Sequence, residues 1–452
     1  MHPPVRHALL ARPESTPPHE TMRFTATGAW DWWRGLNPTR FVAAPMVDQS
    51  ELAFRMLCRE LGVGLCYTPM LHARLMTEHP SYKKLHFDAG GEDDRPLFGQ
   101  LAGHDPQVVL SAARLIEDSV SAVDLNFGCP QAIARKGRYG AFLLEEPDVP
   151  VMLVETLARE LSVPVTAKVR ILPSGIEDSI ELCLRMQDAG AAALCVHGRT
   201  RTMNKQRAGA ADWNSITRLV EALDIPVIAN GGVACYADAE ACLEQTGAAA
   251  IMSSEALLEN PALFCSNIDP RTGAFLDQDE LARRYLEMCE RYPPSKGLAM
   301  SRGHVFKLLH HGFKQRTHLR DELLLAQTTA ELAHVCSRLQ AEGWEQPCFH
   351  REEYTPARSW YWRHRHAAPP YELHASGGEA GDVAGGAAAA AHRSMGRMSA
   401  VETQDAQRLA GGAGGAVVDE GEKALQRRER KKAEKKRRRK RREEARKMRA
   451  GV

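Results

Sequence analysis

Residues 164–200 read PVTAKVRILPSGIEDSIELCLRMQDAGAAALCVHGRT. Two short runs rich in β-branched and apolar residues, 164–170 and 193–197, flank a helix pattern at 177–189. A strand, a crossover helix and a second strand form a parallel pair. The rhythm continues in both directions. Further strands are predicted at 41–47, 65–69, 96–101, 122–127, 226–230 and 249–253. Helix patterns fall at 50–61, 106–118, 147–160, 213–223 and 236–245, and 70–95 is the least regular gap. Eight strands with crossover helices predict an α/β fold, a closed (β/α)8 TIM barrel over 38–270. A doubly wound sheet is the alternative, but no G-x-G-x-x-G follows the first strand.

Beyond the barrel the strand signals stop. Residues 281–292 and 300–340 carry apolar positions at three- and four-residue spacing, which predicts a small helical domain over 275–345. Residues 1–37 read as a poorly ordered leader whose Trp30, Trp32 and Trp33 cover the bottom of the barrel. Residues 367–422 are Gly- and Ala-rich and cannot bury enough surface to order themselves, so a disordered linker is expected. Residues 423–452 form a basic tail, helical in its composition.

Charge is divided sharply. Residues 423–449 hold 17 Lys and Arg against 4 Glu, while the rest of the 452-residue chain holds 42 basic and 53 acidic residues. An acidic body with a polycationic end suits a polyanion or an import receptor. The cytoplasm, the nucleus or both are the expected location. Few acids in the first 22 residues suggest a transit peptide, but the prolines spoil an amphipathic helix. Eleven scattered cysteines without a C-x-x-C pair argue against a disulfide framework or a zinc site, so no metal is expected. No apolar run reaches membrane-spanning length. A monomer is the expectation.

In such a barrel the chemistry lies at the C-terminal ends of the strands. Asn230-Gly231-Gly232 follows the seventh predicted strand and Ser254 the eighth, where backbone N–H groups can cradle a phosphate. Lys168 interrupts an apolar strand. Either a structural ion pair or negative charge on a bound ring accounts for it. His197 and Arg199 fall at the same end, able to hold cofactor or substrate backbone. Gln100 carries an amide that both donates and accepts, as a pyrimidine-like edge requires. Cys129 follows the fourth strand between Gly128 and Pro130 and presents a thiol that could act as nucleophile, ligand or acid. No local Cys/His cluster points to a metal.

Together, Ala43-Ala44-Pro45-Met46, Gln100, Asp124-Leu125-Asn126-Phe127-Gly128-Cys129-Pro130, Lys168-Val169-Arg170, His197-Gly198-Arg199-Thr200 and Asn230-Gly231 resemble the tRNA-dihydrouridine synthases. Residues 45–53 and 65–72 look like the eukaryotic branch acting at tRNA positions 16 and 17. The resemblance spans roughly 38–345. It implies FMN at the barrel mouth, NADPH or NADH as electron donor and tRNA as partner. Hydride goes to C6 of uracil and a proton from Cys129 to C5. It assigns flavin contacts to Pro45, Met46, Val47, Gln100, Lys168, His197, Asn230, Gly231 and Gly232, with Ser254 and Glu255 at the second phosphate loop. Asn126, Arg170 and Arg199 are assigned to the substrate. Many relatives carry Gly-Arg where this chain has Ser254-Glu255, so the Glu255 carboxylate is expected to point away from the phosphate. In the helical domain Arg302, His304, Lys307, His310 and His311 fall at helical spacing, a candidate tRNA-facing surface. The basic tail fits either added tRNA affinity or import. Competing readings are another FMN barrel acting on a small pyrimidine and a non-catalytic RNA-binding barrel.

Overall fold

The computed structural model describes residues 25–36, 40–204 and 209–349. The linker and basic tail lie outside the described residues. Nine parallel strands form the sheet: β1 Phe41–Ala43, β2 Leu65–Tyr67, β3 Leu71–His72, β4 Leu97–Ala102, β5 Ala122–Asn126, β6 Val165–Ile171, β7 Ala193–Thr200, β8 Val227–Asn230 and β9 Ala250–Ser253. β1 pairs with both β2 and β9, and β2 with β4, which closes the ring. The predicted eight-stave barrel is therefore met, with one correction. The second stave, expected over 65–69, is split. β2 pairs with Leu97 and Phe98, and β3 resumes against Leu101 and Ala102. Pro69 has no N–H for a ladder. The Thr68 hydroxyl instead accepts the Gln100 N–H at 3.0 Å.

The lower interior of the barrel is apolar, with Val42, Leu65, Tyr67, Phe98, Ile228 and Met252 in one buried cluster. Trp33 completes it from below. Trp32 stacks on Phe98 with ring centroids 5.7 Å apart, and the Trp30 indole donates to the Asp224 carbonyl at 2.9 Å. These tryptophans lie on a helix, Ala26–Gly35, whose start is capped by Thr25. The segment read as leader is therefore ordered over this stretch, because burying indole surface on the barrel offsets the entropy of ordering it.

The helices expected at 281–292 and 300–340 become five: Gln278–Arg291, Leu298–Leu308, His310–Gln315, Thr317–Leu325 and Thr329–Glu342. Thr328 starts the last one by accepting the Glu331 N–H at 3.1 Å. The basic face predicted here is largely absent. His304 and Lys307 are buried, and Arg302 donates to the Ala326 carbonyl. The partner of His304 is Glu51 of the barrel, which accepts from His304 Nε2 at 3.1 Å and from the Tyr285 hydroxyl at 2.8 Å. His304 Nδ1 is buried without a partner, so it bears no proton, and the imidazole is the neutral Nε2–H tautomer. The helical domain thus docks through a satisfied buried carboxylate.

Candidate active site at the barrel mouth

The turn carrying Cys129 is fixed from both sides. Asn126 ends β5, and its Oδ1 accepts the N–H groups of Gly128 (3.1 Å) and Cys129 (3.0 Å). The Cys129 carbonyl accepts from Ala141 N at 3.0 Å. That approach needs Gly140, whose φ is +72° and where a Cβ would lie 2.6 Å from the Cys129 oxygen. Asn126 Oδ1 is an acceptor, so its Nδ2 donates, at 2.8 Å, to Gln100 Oε1. Gln100 Nε2 then donates to Asp124 at 2.8 Å, and Thr166 donates to the other Asp124 oxygen at 2.7 Å. One consistent hydrogen-bond chain runs from the buried Asp124 to the cysteine backbone. Gln100 is fully buried within it, beneath Asn126. Burial pushes Asp124 up to about 6, against the pull of its two donors. Burial also pushes the Cys129 thiol above its ordinary value, with Arg170 and Lys168 pulling weakly the other way. The thiol is held protonated, which suits an acid and not a thiolate nucleophile.

Lys168 has no carboxylate partner among the described residues. Its Nζ donates to Asn230 Oδ1 at 2.9 Å, and Asn230 Nδ2 donates to the Met252 carbonyl at 2.9 Å. A neutral amide therefore orients a cation that burial pushes below its usual range. The structural ion pair is not what this lysine makes.

A register shift after Arg170 pairs Ile171 with Thr200, so Gly198 and Arg199 bulge from β7. A Cβ at Gly198 would lie 2.7 Å from the Asp212 oxygen. The bulge turns Arg199 back onto His197, with Nη1 3.1 Å from Nε2. A guanidinium can only donate, so His197 accepts at Nε2 and its proton sits on Nδ1. Arg199 also donates twice to the Gly209 carbonyl. Arg170 donates to the carbonyls of Gly128, Thr200 and Met203. Both arginines, expected to meet substrate, brace the loops of the mouth, and their direct partners here are protein groups.

Gly231 (φ +105°) and Gly232 (φ +83°) follow β8. A Cβ on Gly231 would sit 2.8 Å from His197 Cδ2. Trp213 Nε1 donates to the Gly231 carbonyl at 3.0 Å, which turns the peptide so that its N–H side faces away. Glu255, expected to point away, is felt as a negative charge by both Arg199 and Arg170. Its charge is balanced within the mouth. Across the opening, Pro45, Met46 and Val47 form a turn that Ser50 closes by accepting from Met46 N (3.0 Å) and donating to Met46 O (3.1 Å). Asp48 at its tip meets Lys296 of the helical domain at 2.6 Å.

Sequence reasoning missed Asp124 and Thr166 as the base of the hydrogen-bond chain, and Ser50 and Lys296 as supports of the first loop. Asp124 alone had a signal, a carboxylate at an inward position of an apolar strand.

Fold and site together define a β/α-barrel enzyme with a protonated thiol, an isolated cation and a glycine cradle at one mouth. The family profile for dihydrouridine synthase matches residues 42–342, and the chain belongs to that family. It is 42% identical over 328 residues to a rat protein named tRNA-dihydrouridine(16/17) synthase [NAD(P)(+)]-like, covering 72% of each chain. The Saccharomyces cerevisiae tRNA-dihydrouridine(16/17) synthase [NAD(P)(+)] is 38% identical over 348 residues, covering 74% of this chain and 82% of that one. The Pectobacterium carotovorum tRNA-dihydrouridine synthase B is 32% identical over 285 residues, covering 59% and 85%.

Proposed function

We propose that this protein reduces uridine to 5,6-dihydrouridine at positions 16 and 17 of the tRNA D-loop, with FMN and NADPH or NADH. The observation that carries the reading is the thiol of Cys129, kept protonated by burial and aimed by Asn126 beside the lone cation Lys168. The mouth fits a flavin. Gly231 and Gly232 leave a cradle that a Cβ would fill, and Lys168 supplies positive charge without a competing carboxylate. When bound, the reduced flavin supplies hydride for uracil C6. Cys129 gives its proton to C5, so the C5=C6 double bond becomes single and the thiol becomes a thiolate that solvent must reprotonate. Lys168 balances negative charge on the ring above it. His197, with its proton on Nδ1, presents a donor that Arg199 holds in place. The target base must leave the RNA stack to reach a thiol set this deep.

The test is purified protein with NADPH, offered tRNA transcripts, native tRNA and free uridine, with products read by mass. Dihydrouridine at 16 and 17 in tRNA is expected, and reduction of free uridine at an equal rate would favour the small-pyrimidine reading. Gly231→Ala tests the cradle. The strained φ and the contact with His197 cost about 1–3 kcal/mol, so FMN affinity should fall about tenfold or more. Titration of the apoprotein by flavin fluorescence reads this directly, and unchanged affinity would remove Gly231 from the cofactor site.

A further inference from the structure

With His304 and Lys307 buried, the helical domain does not supply the cationic face expected of it. The body outside the tail is also net acidic, so RNA needs a local positive surface. Most exposed arginines are already neutralised: Arg74 by Glu78, Arg114 by Glu160, Arg138 by Glu146, Arg218 by Glu177. Arg135 is the one arginine among the described residues whose guanidinium meets neither carboxylate nor carbonyl. Its neighbour Lys136 has no acceptor either, and both are exposed.

These two lie on the short helix Ala132–Gly137, which begins three residues after Cys129. Ala134 is its buried side, packed in one cluster with Tyr139 and Cys129. Arg135 and Lys136 therefore face outward. The segment is closed at both ends on the cysteine, through the Asn126 turn and through Ala141 N to the Cys129 carbonyl. Two adjacent cations are thus held at a fixed offset from the thiol, and nothing in the described fold relieves their mutual repulsion. A polyanion would.

We propose that Arg135 and Lys136 bind backbone phosphates of the tRNA strand carrying the target uridine, and so set that strand over Cys129. This rests on the tRNA reading above. A phosphate of the nicotinamide cofactor shares the chemistry, and the test separates the two. In the full chain, Arg135→Ala/Lys136→Ala should weaken tRNA binding about tenfold at moderate salt, by the loss of two phosphate contacts. The slope of log affinity against log salt should fall by about 1.4, at about 0.7 per single-strand phosphate. Arg135→Lys/Lys136→Arg should keep the slope, and flavin content and NADPH KM should stay at wild-type values. An unchanged slope in the alanine variant, or a loss confined to NADPH KM, overturns the assignment. Wild-type protein that binds tRNA no better than unstructured RNA overturns the tRNA reading as well.

Discussion

Cys129→Ala should keep its flavin and lose dihydrouridine formation by about 10²–10⁴-fold, the usual worth of a positioned general acid. The flavin should stay because the side chain of Cys129 makes none of the contacts that shape the loop. Asn126 accepts its backbone N–H and Ala141 donates to its carbonyl, and alanine keeps both. The cradle at Gly231 and the cation at Lys168 are on other strands and are untouched. Cys129→Ser should recover little, since a hydroxyl is a far weaker acid than a thiol. In the wild type the high-pH fall in activity should lie above the ordinary thiol range, because burial raises Cys129 and only the protonated form can act. Pre-reduced enzyme mixed with tRNA measures the step, through flavin reoxidation and tRNA mass. Wild-type product from the alanine variant would refute the acid role. Loss of flavin from it would show instead that the side chain serves the cofactor.

The barrel was legible because strand–helix alternation and inward apolar residues are local patterns. The turn after β5 was legible for the same reason, since Asn126, Gly128 and Cys129 lie within four residues of one another. What the sequence hid depends on partners far along the chain. His304 and Lys307 look like a solvated basic stripe until Glu51, 253 residues from His304, is brought against them. Glu255 looked out of place in a phosphate loop because Arg170 and Arg199, which balance it, come from other strands. Arg170 and Arg199 looked like substrate ligands because the carbonyls they brace belong to loops that no periodicity announces. The split second stave had a visible signal in Pro69, but the replacement of a ladder bond by the Thr68 hydroxyl had none.

The largest loss of stability should come from Arg55, a residue outside the mouth. Its side chain is fully buried, as is that of Asp94. Every N–H of the guanidinium is used. Nε meets Asp94 at 3.1 Å, Nη1 meets the Ser50 carbonyl (2.7 Å) and Asp88 Oδ1 (2.9 Å), and Nη2 meets the Asp88 carbonyl and Asp94 Oδ2, each at 2.7 Å. Arg55→Met leaves Asp94 buried with only Arg59 (3.2 Å) and the Gly90 N–H (3.3 Å). Breaking one side of a buried pair costs about 3–5 kcal/mol, against a typical net stability of about 5–15 kcal/mol. Arg55→Lys should fare nearly as badly, because an ammonium cannot reproduce a planar fork with five donors. The damage should reach the site, since Ser50 closes the Met46 turn and loses the donor to its own carbonyl. Urea unfolding followed by circular dichroism should show a much lower midpoint, with weaker flavin retention below it. Arg135→Ala is the contrast. The same residue type, exposed and unpaired, should shift stability by no more than about 0.5 kcal/mol while weakening RNA binding. Equal midpoints for the Arg55 and Arg135 variants would mean that burial and pairing do not govern what an arginine does in this fold.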